Sequence, residues 1–315
     1  EYNGNRHSVS HFSSVKFVVP ATNPYNFTGK ALLMDNCRFV DAGARVVDND
    51  KQTDRYLVGV RGQTDDGWDW ESAASYSVAE AFDVTHNRVS NTLMDALLHR
   101  TDETAYNPFN GAGIYQTGFV SHNPVDYTPG GIGPAVVDAY RANERTMTTL
   151  DFRMSKPDVF TITGGDVGMA FGVEARNDTF MDDRDPRLDG TIVFTERRTN
   201  GQLSTSAGDT YPYVSDLANS SPTPDSDGAR NVNSVYIELD VPLVSPEMNI
   251  PVVEQFDLQL AYRQEAYSDF EGTGVPRVAF GWVVNDILKI RGSQQDTFRA
   301  PNMITINESM VCLLY

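Results

Sequence analysis

The sequence has no long apolar run. None of its 315 residues belongs to a stretch of about 18 consecutive apolar residues, which excludes an ordinary transmembrane helix. Hydrophobic residues make up 40% of the chain, so by bulk composition it resembles a soluble protein. A membrane barrel is not excluded, because its strands carry lipid-facing residues only at every second position and averaging hides them.

The chain is also poor in cysteine and in positive charge. Its two cysteines, Cys37 and Cys312, are far apart in sequence, so neither a disulfide framework nor a metal-binding spacing follows from them. The 43 acidic residues outnumber the 25 basic ones and give a formal net charge of −18. A charge of this sign argues against a nucleic-acid partner, because phosphate backbones are bound by Lys and Arg.

Catalytic motifs are missing as well. The chain contains no Gly-x-Ser-x-Gly elbow, no Walker loop and no His-Glu-x-x-His, and its five histidines are scattered. We therefore predict that the chain is not an enzyme and has no catalytic residues and no cofactor.

One acidic cluster offers oxygen atoms that suit calcium. Asp182, Asp183, Asp185 and Asp189 follow one another within one segment. Their spacing does not match an EF-hand, and we interpret the segment as a solvated acidic loop. No metal site is predicted.

What the sequence does have is alternation with a period of two. From Val167 to Ala175 the odd positions are apolar, whereas the even positions are small or charged. The same alternation recurs at 56–60, 68–78, 150–154, 235–241, 256–262, 278–284 and 288–290. These stretches indicate about nine strands of about ten residues each, the length that a tilted strand needs to cross a bilayer.

The connections between these strands are alternately short and long. Asp65–Gly67 and Asn285–Asp286 predict tight turns, whereas 83–145 and 182–231 are long and polar. Short turns at one rim and long loops at the other are the rule in outer-membrane barrels. Within the first long connection, 89–98 is the only stretch with helical spacing.

These patterns predict an all-β fold, an antiparallel segment of a transmembrane β-barrel. A soluble β-sandwich or propeller also has alternating strands, but no repeat recurs at the period of a propeller. Small residues on the polar faces, such as Gly168, Gly172 and Gly281, are too small to fill a closed eight-stranded barrel. We therefore expect an open, curved sheet of about nine strands from a larger, plugged barrel.

Several motifs resemble the TonB-dependent receptor family. Gly292-Ser293 followed by Phe298-Arg299-Ala300-Pro301 is similar to a mid-barrel signature of that family, where these residues have a structural role. The stretches 164–176, 19–26, 67–71 and 107–109 resemble further family segments in the expected order.

The resemblance implies a receptor in the outer membrane of a Gram-negative bacterium, in contact with outer-membrane lipid. Such receptors actively import scarce nutrients, such as siderophores, cobalamin, sugars or peptides, and TonB supplies the energy through an N-terminal box and a plug domain. We find neither plug nor TonB box here, so residues 1–315 are expected to be part of the barrel domain, without its plug and its C-terminal strands.

The expected ligand is a small-molecule or oligomeric nutrient bound by the long loops. Aromatic side chains there could stack on a sugar or a siderophore, and the candidates are Tyr106, Phe109, Tyr115 and Tyr127. Two alternatives remain open at this point: a passive outer-membrane porin, and a structural or adhesive β-protein whose loops bind a partner.

Overall fold

The fold was analysed in a computed structural model of the chain. The structure describes residues 6–8, 12–13, 16–34, 37–109, 125–194, 196–197, 203–204 and 215–307, and every structural statement below refers to these residues.

The described strands form one large antiparallel sheet and three small pairs. The strands are β1 (Arg6–Ser8), β2 (Phe12–Ser13), β3 (Phe17–Val19), β4 (Leu32–Met34), β5 (Cys37–Arg38), β6 (Arg45–Gln63), β7 (Asp69–Val89), β8 (Val136–Ile162), β9 (Gly165–Arg184), β10 (Glu196–Arg197), β11 (Leu203–Ser204), β12 (Ser226–Val244), β13 (Gln255–Tyr267), β14 (Thr273–Val283) and β15 (Lys289–Gln295). Short helices are α1 (Asn91–Leu98), α2 (Pro186–Asp189) and α3 (Met303–Asn307), with 3-10 turns at Val40–Ala42, Gly133–Ala135 and Pro246–Met248.

The large sheet has nine strands in the order β1-β6-β7-β8-β9-β12-β13-β14-β15. Nearly every strand pairs with the next long strand of the chain, as expected when short antiparallel connections join neighbours. No ladder among the described residues joins β15 back to β1 or β6, so the sheet is open. The predicted all-β, open antiparallel sheet of about nine strands is confirmed.

Seven of the nine strands of the large sheet are longer than the predicted ten residues. β6, β7, β9 and β12 contain 19, 21, 20 and 19 residues, and β8 contains 27. Apolar alternation covers only one half of each strand, whereas backbone pairing continues through a polar half. Sequence alternation therefore identified the half of each strand that has an apolar and a polar face, and missed the polar extension of the strand.

The register places the apolar positions of all long strands on one face. Val235 lies opposite Val173, and Ile237 lies between Phe171 and Tyr262. We call this continuous surface the apolar belt, and its members are Tyr56, Val58, Val60, Trp70, Ala74, Tyr76, Leu150, Phe152, Met154, Met169, Phe171, Val173, Val235, Ile237, Leu239, Leu258, Leu260, Tyr262, Val278, Phe280, Trp282 and Ile290. Many of these side chains are largely exposed, although they are apolar.

Tight turns connect neighbouring strands at the end of the sheet where the apolar belt lies. The turn between β6 and β7 spans Thr64–Trp68 and uses Gly67 at a φ of 84°, a conformation that favours glycine. A Cβ atom at Gly164, between β8 and β9, would lie 2.0 Å from the carbonyl oxygen of Pro242, so only glycine fits there. The tight turn predicted at Asp65–Gly67 is confirmed.

The long connections lie at the opposite end and pack on one another. We call the described parts of residues 16–44, 90–135, 185–194 and 215–225 the loop unit. Its core combines side chains from all of these segments: Phe17, Val19, Phe39, Ala42, Met94, Leu97, Leu98, Tyr106, Ile132, Ala135, Phe194 and Ala218, with Val89 from the end of β7. The connections that the sequence presents as polar loops therefore contain a hydrophobic core.

Helix α1 begins inside this unit. The predicted helix 89–98 forms from Asn91, because Val89 still belongs to β7 and Ser90 is the N-cap, with its side chain accepting from the backbone N–H of Leu93. Among the described residues, no helix has the length and apolar content needed to cross a membrane.

Candidate functional site

The face opposite the apolar belt is polar and charged, and we call it the polar face. Gly172, Tyr236 and Arg263 share one row of it, flanked by Arg153. Its charged residues in this central region are Glu71, Asp151, Arg153, Glu174, Arg176, Glu238, Asp240, Asp257, Arg263 and Glu265. In a membrane barrel the face that avoids lipid surrounds the lumen.

Ion pairs within and between strands organise this face. Arg153 on β8 donates to Glu71 on β7 at 2.6 Å. On β13, Arg263 binds Glu265 at 2.7 Å, donates to Ser234 at 3.0 Å and lies 3.6 Å from Glu174. These pairs hold long side chains against the wall and leave an open groove of about 640 Å³ between them.

Small residues make room for the groove. The ring of Tyr236 lies directly over Gly172, where a Cβ atom would stand 2.5 Å from Cε1 of the ring. A second groove of about 750 Å³ continues past Tyr236 to Ala170 and Arg61. The polar face can therefore accommodate another chain segment or a solute without displacing the backbone of the wall.

A buried arginine holds the family motif at the long-loop end of the polar face. Arg230 on β12 donates to both carboxylate oxygens of Asp269, at 2.9 and 3.0 Å from Nε, and to the carbonyl oxygen of Pro301 at 3.0 Å. Its guanidinium carbon lies 5.0 Å from the ring centroid of Phe270. The ring of Phe298 packs 5.9 Å from Phe270 and 6.0 Å from Tyr267.

The motif Phe298–Pro301 is thus docked through its first and last residues. Arg299 is exposed and Ala300 is half-buried. Sequence reasoning identified the motif but not Arg230, because nothing in the pattern around β12 distinguishes a clamped arginine from a solvated one.

The four aromatic ligand candidates lie in different environments. Tyr106 is buried in the core of the loop unit with 7% exposure, and its hydroxyl lies 3.4 Å from Asp41; burial, with Asp41 nearby, raises the pKa of Tyr106 well above its usual value. Phe109 is half-exposed, and its ring centroid lies 5.1 Å from that of the exposed Phe27. Tyr127 is 71% exposed, and Tyr115 lies outside the described residues.

Phe109 and Tyr127 therefore have the exposure that stacking on a ligand requires, whereas Tyr106 has a packing position in this structure. Their ligand-binding role stays a prediction. Phe27 was missed in the sequence because it belongs to a segment without any alternation.

The acidic segment considered for calcium is engaged in protein contacts. Asp182 pairs with Arg141 at 2.7 Å and with Arg184 at 2.7 Å, and Asp185 caps α2. Within the described part of the chain, no group of His, Cys, Asp and Glu has the geometry to hold a metal ion. Nearby, burial together with the charge of Asp189 raises the pKa of Asp225, just before β12.

A two-faced antiparallel sheet, apolar on one side and charged on the other, with tight turns at one end and long connections at the other, defines the wall of a transmembrane β-barrel. The chain belongs to the family "TonB dependent receptor-like, beta-barrel", whose family model matches residues 3–309. The family is one of receptors and transporters of the Gram-negative outer membrane, not of enzymes. No curated protein and no solved structure matches the chain.

Proposed function

We propose that this chain forms part of the barrel wall of a receptor that actively imports a scarce nutrient through the outer membrane of a Gram-negative bacterium. The nutrient class would be a siderophore, cobalamin, a sugar or a peptide, and TonB would supply the energy. Family membership supports outer-membrane transport in general.

The observation that carries the proposal is the separation of the two faces. On each long strand, successive residues alternate between the apolar belt and the polar face. On β9, for example, Phe171 belongs to the apolar belt and Gly172 to the polar face. A soluble sheet would have to cover the belt with a second layer, and among the described residues no layer covers it. Lipid on one side and a lumen on the other satisfies both faces.

The open sheet supports a wider barrel. Among the described residues, β15 has one unpaired edge, and β6 is unpaired on one side beyond its short pairing with β1, so further strands of the receptor would close the wall. In this arrangement a plug would occupy the lumen along the polar face, and the loop unit would lie outside the cell.

The test compares wild-type cells with cells that lack this receptor and cells that lack TonB. Each strain is grown with ferric chelates, cobalamin, oligosaccharides and peptides as limiting nutrients, and the receptor is followed through membrane fractionation. We expect the receptor in the outer-membrane fraction and the same nutrient defect in both deletion strains. A defect that appears without the receptor but not without TonB would indicate a passive porin instead.

A further inference from the structure

The charges of the sheet are sorted between its two faces. Every arginine of strands β6–β9 and β12–β15 lies on the polar face, as the register of each ladder shows. The outward face beyond the apolar belt instead presents acidic residues, including Asp50, Asp54, Glu80 and Glu144. A chain with a net charge of −18 therefore directs the arginines of its large sheet toward the polar face.

Four of the polar-face cations of β6 to β8 border one row of small residues. Lys51 and Arg55 project from β6 beside Ala81 and Ser77 of β7, and Arg145 of β8 projects beside Ala79 from the other side. Arg61 lies further along β6. We call the surface between these four cations the cationic lane. Its floor consists of small residues of β7: Ala73, Ser75, Ser77, Ala79 and Ala81. Ten residues separate Lys51 from Arg61, which corresponds to roughly 33 Å of extended strand.

The side chains of the lane are available. Lys51, Arg55, Arg61 and Arg145 are exposed, and none of them makes an ion pair or a side-chain hydrogen bond within the described residues. Glu71, the acidic neighbour of Arg61 in the ladder, is held by Arg153. The polar face of β6 contains no acidic residue, so its positive charge is not neutralised on its own strand.

Toward the loop unit, the cationic lane continues to two arginines, Arg45 and Arg88. Both have side-chain N–H groups without an acceptor among the described residues. The side chain of Asn87 donates to the carbonyl oxygen of Ala44 at 2.7 Å, and this bond brings their neighbours Arg88 and Arg45 together. Asn87 has a φ of 60°, at a bulge that directs Arg88 to the polar face.

Arg88 is 8% exposed, and its Nε, like Nε and Nη2 of Arg45, is buried without a hydrogen-bond partner among the described residues. Buried guanidinium donors without acceptors are costly, and an oxyanion satisfies them with strong, charge-assisted bonds.

We propose that the cationic lane binds oxyanions, so that the nutrient imported by this receptor carries several carboxylate or phosphate groups. The inference rests on the proposed transport function and specifies its substrate class. An anion with several carboxylates can bridge successive cations of the lane, since Lys51, Arg55 and Arg145 border a common floor.

The test measures equilibrium binding of radiolabelled citrate to the purified full-length receptor, with sorbitol as the uncharged probe. The variant K51Q/R55Q/R145Q removes three charges from the lane. The matched control R277Q/K289Q/R291Q removes three charges from the same polar face on β14 and β15.

We expect citrate but not sorbitol to bind, and binding to weaken at least about tenfold in the lane variant, because each lost charge-assisted hydrogen bond weakens binding by about tenfold or more. The control should bind within about twofold of wild type, and binding should fall as salt rises. Equal losses in both variants, or no citrate binding, would overturn the proposal.

A second measurement distinguishes an internal occupant of the lane. If an acidic segment of the receptor itself fills the lane, the lane variant loses thermal stability while citrate fails to bind, and that result also overturns the proposal. Outer-membrane fractionation and TonB-dependent growth of the same strains test the transport function separately, so the two proposals can fail independently.

Discussion

At the scale of single residues, the face on which a side chain lies determines the effect of a charge. Phe171 is central in the apolar half of β9 and packs against Trp68, with ring centroids 5.8 Å apart. We expect Phe171→Arg to destabilise the receptor by about 2–4 kcal/mol, because it places a charge near the bilayer midplane. Denaturant unfolding of the full-length receptor in lipid vesicles measures this difference.

The adjacent Ala170→Arg is the matched control, since it introduces the same side chain on the polar face. Ala170 borders two grooves, so the new guanidinium has room and water there, and we expect a cost below about 1 kcal/mol. If the two variants were equally destabilised, or if the order were reversed, the assignment of the faces would be wrong.

A second residue-scale prediction concerns Arg230. Arg230→Ala leaves the carboxylate of Asp269 without its partner and removes the donor to Pro301, so we expect a loss of about 3–5 kcal/mol, as for other broken, buried ion pairs. Protease cleavage near Arg299 should become faster in the folded receptor.

Replacing both charged partners tests whether the unpaired carboxylate causes that loss. In Arg230→Met with Asp269→Leu, no buried charge remains, and we expect stability to recover by more than half. Equal destabilisation of the single and the double variant would instead indicate that packing around Phe298 is the dominant contribution.

At the scale of elements, alternation predicted the faces of the strands reliably. The predicted apolar sets of β9, β12 and β13 share one face, since Phe171, Ile237 and Tyr262 are consecutive members of one cross-strand row. Strand length was not predictable in the same way. Beyond Ala175, both faces of β9 carry polar residues such as Asn177 and Asp178, and backbone pairing alone extends the strand.

The loop unit was not predictable from local patterns. Its core residues, such as Phe17, Phe39, Leu98 and Phe194, come from distant segments, and each segment has too few apolar residues to show a period. For the same reason Tyr106 resembled a surface aromatic in the sequence, although its neighbours in space bury it.

One buried carboxylate joins three segments of the loop unit. Asp216 is 1% exposed, accepts from the hydroxyl of Ser90 at 2.6 Å and from the backbone N–H of Thr92 at 2.8 Å, and lies 3.4 Å from Nε of Arg187. Asp216→Ala leaves these donors without their acceptor, at a cost of about 1–3 kcal/mol to the loop unit.

Amide hydrogen exchange of the full-length receptor measures this effect. We expect faster exchange in α1 of the Asp216→Ala variant and unchanged protection in β7 to β9. The control is Asp102→Ala, which removes an exposed carboxylate that bonds to Thr104 in the same connection and should leave α1 protected. Unchanged exchange of α1 in the Asp216 variant would contradict the role given to this residue.

At the scale of the whole molecule, the edges of the sheet determine whether this part of the wall is stable by itself. β15 pairs with β14 from Lys289 to Gln295, and on its other side no described strand pairs with it. Unpaired backbone groups at an edge attract further strands, either the correct neighbours within a barrel or other copies in an aggregate.

The full-length receptor and the isolated chain of residues 1–315 should therefore differ. In the full-length receptor in lipid, we expect backbone amides throughout β15 to be as protected from hydrogen exchange as those of β14, because the proposed barrel has a further strand beside β15. In the isolated chain the amides of β15 that point away from β14 should exchange rapidly, and the chain should aggregate when detergent is removed. Two results would contradict an incomplete wall: a monomeric, protease-resistant isolated chain in lipid, or rapid exchange of the same amides in the full-length receptor. The first result would mean that nine strands form a stable unit, against the relation between strand number and barrel diameter, and the second would mean that no strand pairs with β15 in the full-length receptor.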